Sequence, residues 1–265
     1  MKVAIIGAGN MGGALARGLA QGNIIPTSDL YVSNPSTPKL EALKQEFPEI
    51  NVTTNNCVAA TSADLIVIAV KPWKVVEVLD EIKPHLNYSH QTIASMVGGL
   101  GIAQLSEWLD KGDGELPATY LIMPNTAIAT MSSMTFLSSA RSTKVMDDYL
   151  LEVFNELGKA MLIEEGVMPA ATSLASCGIA YALRYIRAAM EGGVELGFRA
   201  DDAKHIVMQT LLGAVDILSV NDTHPEAEID RVTTPGGLTI KGLNAMEAAG
   251  FTHSVIEGLR ASTKR

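Results

Sequence analysis

The chain has 265 residues, of which 47% are hydrophobic, 18% charged and 5% aromatic, and its formal net charge is −9. This hydrophobic content supports a sizeable core and excludes intrinsic disorder, and the length corresponds to one large domain or two modest ones. The acidic balance argues against nucleic acid as a partner, because an acidic surface repels phosphate backbones.

The negative charge is unevenly distributed along the chain. Residues 1–165 contain 11 basic and 18 acidic side chains, a net charge of −7, whereas residues 166–265 contain 9 and 11, a net charge of −2. A stretch of low net charge in a soluble protein indicates more surface to hide than one subunit can cover. We therefore expect the segment from Gly166 onward to be buried against a second subunit.

Neither a disulfide framework nor a metal site is expected. The cysteines Cys57 and Cys177 stand alone, and no metal-ligand spacing relates the five histidines, His85, His90, His205, His224 and His253. Glycines interrupt the apolar N-terminus, which fits a strand better than a signal peptide. No stretch looks long and apolar enough to span a membrane, so the sequence predicts a cytoplasmic protein with no membrane partner.

Residues 1–165 alternate strand-like and helix-like segments, which is typical of a mostly parallel, doubly wound sheet with helices on both faces. In chain order, the patterns predict a strand at 3–6, a helix at 10–21, a strand at 30–33, a helix at 38–47, a strand at 63–70, a helix at 72–82, strands at 92–96 and 120–123, and two late strands at 134–137 and 160–163 that flank a helix at 144–156. The continuous apolar run at 63–70 indicates a central strand covered on both faces.

After residue 165 the sequence predicts only helices. Apolar side chains fall on every side of the segment 168–198, so we expect this helix to be buried on more than one face. Asp201 and Asp202 fit the N-terminal cap of a helix that runs to about residue 219, and helices at 225–232, 237–249 and 252–260 follow. The domain boundaries are therefore predicted at 1–165 and 166–265.

A glycine-rich motif follows the first predicted strand. Gly7-Ala8-Gly9-Asn10-Met11-Gly12 has the GxGxxG pattern and opens a helix. In this context Gly7 permits a tight turn, Gly9 lets a pyrophosphate approach the backbone, and Gly12 lets the helix pack on the strand. The N–H groups and dipole of the helix start then bind the anion. A glycine-rich turn without a ligand is the alternative, and the two further strands at the expected spacing argue against it.

The end of the second predicted strand distinguishes NAD from NADP. Ser33 lies 21 residues after Gly12, where an NAD site usually carries a carboxylate for the ribose 2′-OH. No carboxylate is present there; Ser33, Asn34 and Ser36 can donate hydrogen bonds to a 2′-phosphate, and Lys39 is the nearest cation. NADPH is therefore favoured, with NADH as the alternative.

Two further segments are candidate ligand contacts. Ala69-Val70-Lys71-Pro72 ends the central strand, where the dinucleotide crevice lies, although an ordinary strand-to-helix turn also explains it. Thr234-Pro235-Gly236-Gly237 exposes backbone N–H groups at the mouth of a helix, which suits a carboxylate, and Thr239 is placed to present a hydroxyl to the same ligand. A plain helix cap explains this second segment equally well.

Motifs in a consistent order resemble those of pyrroline-5-carboxylate reductases over nearly the whole chain. They are IGAGNMG at 6–12, AVKP at 69–72, SMVGG at 95–99, MPNT at 123–126, AYALRYIRAAMEGGVELGF at 180–198, QTLLGA at 209–214 and TTPGGLTIKGL at 233–243. The resemblance implies NAD(P)H-dependent reduction of Δ1-pyrroline-5-carboxylate to L-proline, the last step of proline biosynthesis. It also implies a Rossmann domain followed by a helical domain that interlocks two subunits, often in a ring of dimers.

The resemblance further implies which residues touch each ligand. Those of the dinucleotide are Ile6, Gly7, Ala8, Gly9, Asn10, Met11, Gly12, Ser33, Asn34, Asn56, Ala69, Val70, Lys71 and Pro72. Those of the substrate are Met123, Asn125, Thr234, Gly236, Gly237 and Thr239, with Met123 and Asn125 near the nicotinamide. The two glycine N–H groups would bind the carboxylate, and the hydroxyl of Thr239, the expected catalytic residue, would contact the ring nitrogen. A protonated imine is already electrophilic, so orientation and exclusion of water supply most of the rate enhancement.

The chain departs from the family pattern at Leu121, where many members have arginine, and at Ala127 and Ile179, where they have proline. These changes bear on the shape of the substrate pocket. A non-catalytic NAD(P)-binding sensor is one rival function, although a sensor has little need for a carboxylate cradle. A β-hydroxyacid-type dehydrogenase is another, but its early lysine is missing, since no lysine lies between Lys159 and Lys204.

Overall fold

A single eight-stranded sheet organises the first of two compact units, Met1–Ser176, in a computed structural model that describes residues 1–263. The strands are β1 Val3–Ile6, β2 Leu30–Ser33, β3 Asn51–Thr53, β4 Leu65–Ile68, β5 Thr92–Ser95, β6 Ala118–Met123, β7 Ser133–Ala140 and β8 Gly158–Leu162. Their spatial order is β3-β2-β1-β4-β5-β6-β7-β8, and every neighbouring pair is parallel except β6 and β7. The mostly parallel, doubly wound sheet is confirmed.

Seven helices belong to the same unit within the described residues. They are α1 Asn10–Gln21, α2 Thr37–Glu46, α3 Asn56–Thr61, α4 Val75–Ile82, α5 Ile102–Leu109, α6 Lys144–Glu156 and α7 Met168–Ala171, and a π-helical turn, Thr172–Cys177, follows α7. The predicted helix at 72–82 starts later than expected, because residues Pro72–Lys74 form a 3₁₀ turn. The sequence patterns missed β3, α3 and α5.

The sheet is covered on both faces, which explains the continuous apolar strands. Along β1, Val3 and Ile5 join a cluster that contains Leu15 of α1. Ala4 and Ile6 point to the opposite face and join a cluster that contains Leu79 of α4, as the two-residue period of a strand requires. Strand order reverses between β1 and β4, so the crevice typical of dinucleotide sites lies at their carboxyl ends.

The second compact unit, Cys177–Arg265, contains only helices among its described residues. They are α8 Gly178–Glu195, α9 Ala200–Asn221, α10 Pro225–Val232, α11 Leu238–Ala248 and α12 Phe251–Ala261. The all-helical prediction is confirmed. The prediction that Asp201 and Asp202 cap α9 is wrong, because Arg199 is the N-cap and both aspartates lie in the first helical turn. There they still interact favourably with the helix dipole.

The helices of the second unit expose much apolar surface. No residue of α8 is buried within this chain, so the burial expected for the helix at 168–198 is not found in a single copy. Leu196, Val220 and Leu238 are 83%, 82% and 85% exposed. Surface of this kind is unusual in a monomer and typical of an interface.

Two helical stretches, Glu165–Glu195 and Ala200–Asn221, are long and apolar enough to cross a membrane on length and composition alone. The prediction that no such stretch exists is therefore wrong. The small residues of these helices look only weakly apolar one by one. Few charged residues interrupt them, however, so the mean hydropathy over an 18-residue window is high. One or two such helices are weak evidence for a membrane, since helices buried by protein share these properties.

Candidate functional site

The glycine loop between β1 and α1 lies tightly against the ends of β2 and β4. Gly7 has a φ of +109°, a conformation that favours glycine. A Cβ on Gly7 would lie 2.7 Å from the carbonyl oxygen of Ala69. The N–H of Gly7 donates to the carbonyl of Ser33 at 2.8 Å. The glycine loop therefore packs directly against Ala69, the first residue of the predicted Ala69–Pro72 segment, at the carboxyl ends of β1 and β4.

The start of α1 combines close packing with open space. A Cβ on Gly12 would lie 1.9 Å from the carbonyl oxygen of Gly7, whereas a Cβ on Gly9 would have no described atom within 4 Å. The N–H groups of Asn10 and Met11, in the first helical turn, have no partner within the helix. The loop thus presents donors and room together, which fits the pyrophosphate of a dinucleotide.

The polar side chains at the end of β2 are already partnered within the protein. Ser33 is completely buried, and its hydroxyl donates to Oδ1 of Asn56 at 2.8 Å. Asn34 braces the glycine loop, because its Oδ1 accepts from the N–H of Ala8 at 3.0 Å and its Nδ2 donates to the carbonyl of Ser36 at 3.2 Å. The sequence predicted phosphate donors here and did not predict this bracing.

Glu81 on α4 also reaches the end of β2, and no sequence pattern indicated this residue. Asn56, the first residue of α3, donates from Nδ2 to Oε2 of Glu81 at 2.7 Å. Burial, and then the negative charge of Glu81, raise the pKa of the Cys57 thiol above its ordinary value. The contact could not be found from spacing, because neither β3 nor α3 had a clear pattern.

A groove of about 560 Å³ adjoins the glycine loop between α1 and α2. Gly9 and Asn10 line it together with two cations, Arg17 and Lys39. Arg17 was not among the predicted residues; its Nε donates to Oε2 of Glu46 at 2.7 Å, which partly neutralises it. The groove therefore adds positive charge beside the loop in an otherwise acidic unit.

The turn after β6 lies at the same carboxyl edge and is fixed at several points. Oδ1 of Asn125 accepts from the N–H of Ala127 at 3.0 Å, and the hydroxyl of Ser176 donates to the carbonyl of Pro124 at 2.7 Å. Ser176 belongs to the π-helical turn, a feature that is frequent at functional sites. Met123 is buried in a small apolar cluster that also contains Leu121, so the position where many members have arginine is here part of the core.

The Pro-Gly-Gly segment of the second unit opens α11. Gly236 has a φ of +72°, and the N–H of Gly237 donates to the carbonyl of Thr234 at 2.9 Å. The prediction that both glycine N–H groups are available to a ligand is therefore wrong for Gly237. The N–H groups of Leu238 and Thr239, in the first turn of α11, have no partner within the helix. They join Gly236 as candidate carboxylate donors, and the exposed Thr239 adds its hydroxyl.

In the described part of the chain, residues 1–263, no group of three His, Cys, Asp or Glu side chains is arranged to hold a metal ion. Each unit contains one candidate anion-binding helix start, that of α1 in the first unit and that of α11 in the second. Backbone N–H groups dominate both. Such an arrangement binds and orients anionic ligands, and it leaves proton chemistry to the ligands themselves.

Two family models match this chain. Residues 165–265 match the model described as pyrroline-5-carboxylate reductase dimerisation. Residues 2–98 match the model described as NADP oxidoreductase, coenzyme F420-dependent. The second match covers the glycine loop and the residues that surround it.

Individual relatives match over the full chain. Pyrroline-5-carboxylate reductase 2 of Dictyostelium discoideum is 37% identical, with 100% of this chain and 91% of that protein aligned. Pyrroline-5-carboxylate reductase 1 of the same organism is 38% identical over 99% of this chain, which spans 49% of that longer protein. The crystal structure of Plasmodium falciparum pyrroline carboxylate reductase with NADP bound has a TM-score of 0.88 at 30% identity and covers 99% of this chain and 95% of its own. This chain belongs to the pyrroline-5-carboxylate reductase family.

Proposed function

We propose that this chain reduces Δ1-pyrroline-5-carboxylate to L-proline with NADPH. The observation that carries the proposal is the presence, in one chain of this family, of two anion-binding helix starts. One follows a GxGxxG loop with open space at Gly9, which suits a dinucleotide. The other follows Pro-Gly-Gly and suits a small carboxylate. Together they match a reaction with one dinucleotide and one carboxylate substrate.

Each group of the chain has a defined task in this reaction. When bound, NADPH supplies a hydride to the imine carbon. The loop around Gly9 would hold the pyrophosphate, and Met123 and Asn125 are the residues expected beside the nicotinamide. The N–H groups of Gly236 and of the first turn of α11 hold the substrate carboxylate, and Thr239 donates or accepts a hydrogen bond at the ring nitrogen.

The reaction does not require a strong general acid from the protein. The imine nitrogen would take its proton from solvent before hydride transfer, which makes the imine carbon electrophilic. Holding the two reactants in the correct orientation can supply roughly 7–11 kcal/mol of the barrier reduction. A site built from backbone donors and one hydroxyl therefore meets the needs of the reaction.

We propose a homodimer through the helices of the second unit as the minimal assembly. The support is the exposed apolar surface of α8 to α12 and the match of residues 165–265 to a dimerisation model. A ring of several dimers is the larger assembly that the resemblance implies. The same burial accounts for the two apolar helices without a membrane, and we expect a cytoplasmic protein that binds neither membranes nor nucleic acid.

The test of activity is NADPH oxidation by the purified chain in the presence of pyrroline-5-carboxylate, with NADH compared in parallel. We expect turnover, and we expect Thr239→Ala to lower kcat while Thr239→Ser retains most of it. Thr252→Ala is the matched control, because Thr252 is also the second residue of an eleven-residue helix. Its hydroxyl bonds to Glu247 at 2.7 Å and has no proposed ligand.

Two results would contradict the proposal. No turnover with either reduced cofactor would leave the non-catalytic sensor as the better explanation. A monomeric mass in light scattering would remove the proposed reason for the apolar helices. A mass of two chains would support the dimer and exclude the ring.

A further inference from the structure

The fold brings a carboxylate to the end of β2, where the sequence contains none. From Ser33 to Thr37 there is no acidic residue. Glu81, on α4, nevertheless accepts from Asn56 Nδ2 at 2.7 Å, and Asn56 in turn accepts from the Ser33 hydroxyl at 2.8 Å. A continuous hydrogen-bonded series therefore connects the last residue of β2 to an acidic side chain 48 positions away in sequence.

This position decides cofactor preference in Rossmann domains. A carboxylate at the end of the second strand bonds to the ribose hydroxyls of NAD and repels the 2′-phosphate of NADP. Absence of such a residue on β2 is what favours NADPH for this chain. Glu81 places the same charge close by through Asn56, and so acts against that preference.

We propose that Glu81 is a cofactor-selectivity residue, whose charge weakens binding of NADP(H) relative to NAD(H). The inference rests on the proposed function and on the expectation from the sequence that Ser33 and Asn56 lie beside the adenosine ribose. Glu81 is exposed and takes part in none of the ion pairs found within residues 1–263. Its charge is therefore not neutralised by a contacting cation.

The size of the effect follows from distance and screening. A phosphate bonded to Asn56 would be separated from the Glu81 carboxylate by two hydrogen bonds of about 3 Å each, roughly 6 Å in all, with solvent around both. Coulomb repulsion at that distance and high dielectric corresponds to about a three- to tenfold loss of NADP(H) affinity. NAD(H), which lacks the phosphate, is affected much less.

Glu81→Gln isolates the charge. Glutamine keeps an oxygen that accepts from Asn56, so the geometry is retained while the charge is removed. Calorimetric dissociation constants of NADP⁺ and NAD⁺, measured without substrate, should show about a three- to tenfold rise in relative affinity for NADP⁺. Asp80→Asn is the control, because it removes one negative charge from the neighbouring position of α4, where Asp80 faces Lys83 at 3.6 Å.

Each outcome decides the inference. A rise in the Glu81 variant that is absent in the Asp80 variant supports it. The inference is overturned if the relative affinity for NADP⁺ and NAD⁺ is unchanged, or if it rises equally in both variants. An equal loss of affinity for both cofactors also overturns it, because it would show that Glu81 only positions Asn56. Failure of the proposed function gives a different result: cofactor binding without turnover leaves the selectivity measurement intact, whereas an unsubstituted chain that binds neither cofactor overturns both.

Discussion

Replacing Gly12 with alanine tests whether α1 must touch the glycine loop. The added Cβ would lie 1.9 Å from the carbonyl oxygen of Gly7 and 3.0 Å from Cβ of Ala69. Real Cβ contacts below 3.0 Å are essentially not found, so α1 and the loop must separate by at least about 1.1 Å. The close neighbour is backbone, so no flexible side chain can move aside.

The expected cost is the overpacking penalty less a gain in helix propensity. Overpacking costs about 1–3 kcal/mol or more, and alanine in place of glycine in a helix returns about 0.5–1 kcal/mol. We expect Gly12→Ala to lose about 2 kcal/mol of stability, which in a chain of this size lowers Tm by roughly 4–8 °C. NADP⁺ affinity should fall with it, because the displaced segment carries the anion-binding N–H groups.

Gly13→Ala is the matched control, one position further along α1. Its Cβ would lie 3.4 Å from Nη1 of Arg17 and 3.8 Å from the carbonyl oxygen of Ala8, which are ordinary contacts. Thermal unfolding and calorimetric titration with NADP⁺ should leave this variant unchanged or more stable. If Gly12→Ala matched it in both Tm and affinity, the account of close packing at the loop would be refuted.

Two further predictions concern the turn after β6 and alkaline stability. Ser176→Ala removes the 2.7 Å hydrogen bond to the Pro124 carbonyl, and we expect kcat to fall about three- to tenfold with NADP⁺ affinity unchanged. Thr130→Ala is the control, because it loses only a hydrogen bond within the 3₁₀ helix of the same turn. Equal kcat values in the two variants would contradict this prediction. Burial, with smaller contributions from nearby carboxylates, raises the pKa of Tyr88, which donates to the Leu109 carbonyl, to about 12. Since the unfolded value is about 10, the folded state holds this proton more tightly, and stability that is present below about pH 10 is lost as pH rises towards about 12. Tyr88→Phe should flatten this loss in urea unfolding across that range, and an unchanged slope would count against it.

The sequence predicted those elements whose residues carry their own pattern. The helix α1, the strand β2 and the helix α6 have the predicted bounds, because an apolar period or a continuous apolar run is a local property. The missed elements are short, and tertiary contacts specify them. β3 has three half-buried residues and forms by pairing with β2, and α3 spans six residues behind an Asn55 cap.

The same division applies to the candidate site. Local backbone geometry made the glycine loop predictable, since the positive φ of Gly7 and the contact of Gly12 with the Gly7 carbonyl are constraints within a few residues. Glu81 and Ser176 come from helices that reach the site through the fold, and no local pattern points to either. The Gly237 N–H was wrongly assigned for a related reason: the turn that consumes it depends on the conformation of Gly236, which a Pro-Gly-Gly string alone does not fix.

The uneven charge of the chain explains why backbone donors carry so much of the site. In an acidic protein, side-chain cations that bound two anionic ligands would have to offset the negative potential of the protein itself. The N–H groups at helix starts act on a ligand only at short range, so they bind it locally. Selectivity then depends on the few charges that lie close to the ligand. In the proposal above, Glu81 is one of these charges, and Arg17 and Lys39 of the adjoining groove are others. The C-terminal part of the chain differs in balance, with 9 basic and 11 acidic side chains in residues 166–265. Because its net charge is close to zero, its exposed apolar helices can approach a second subunit without strong repulsion between like charges.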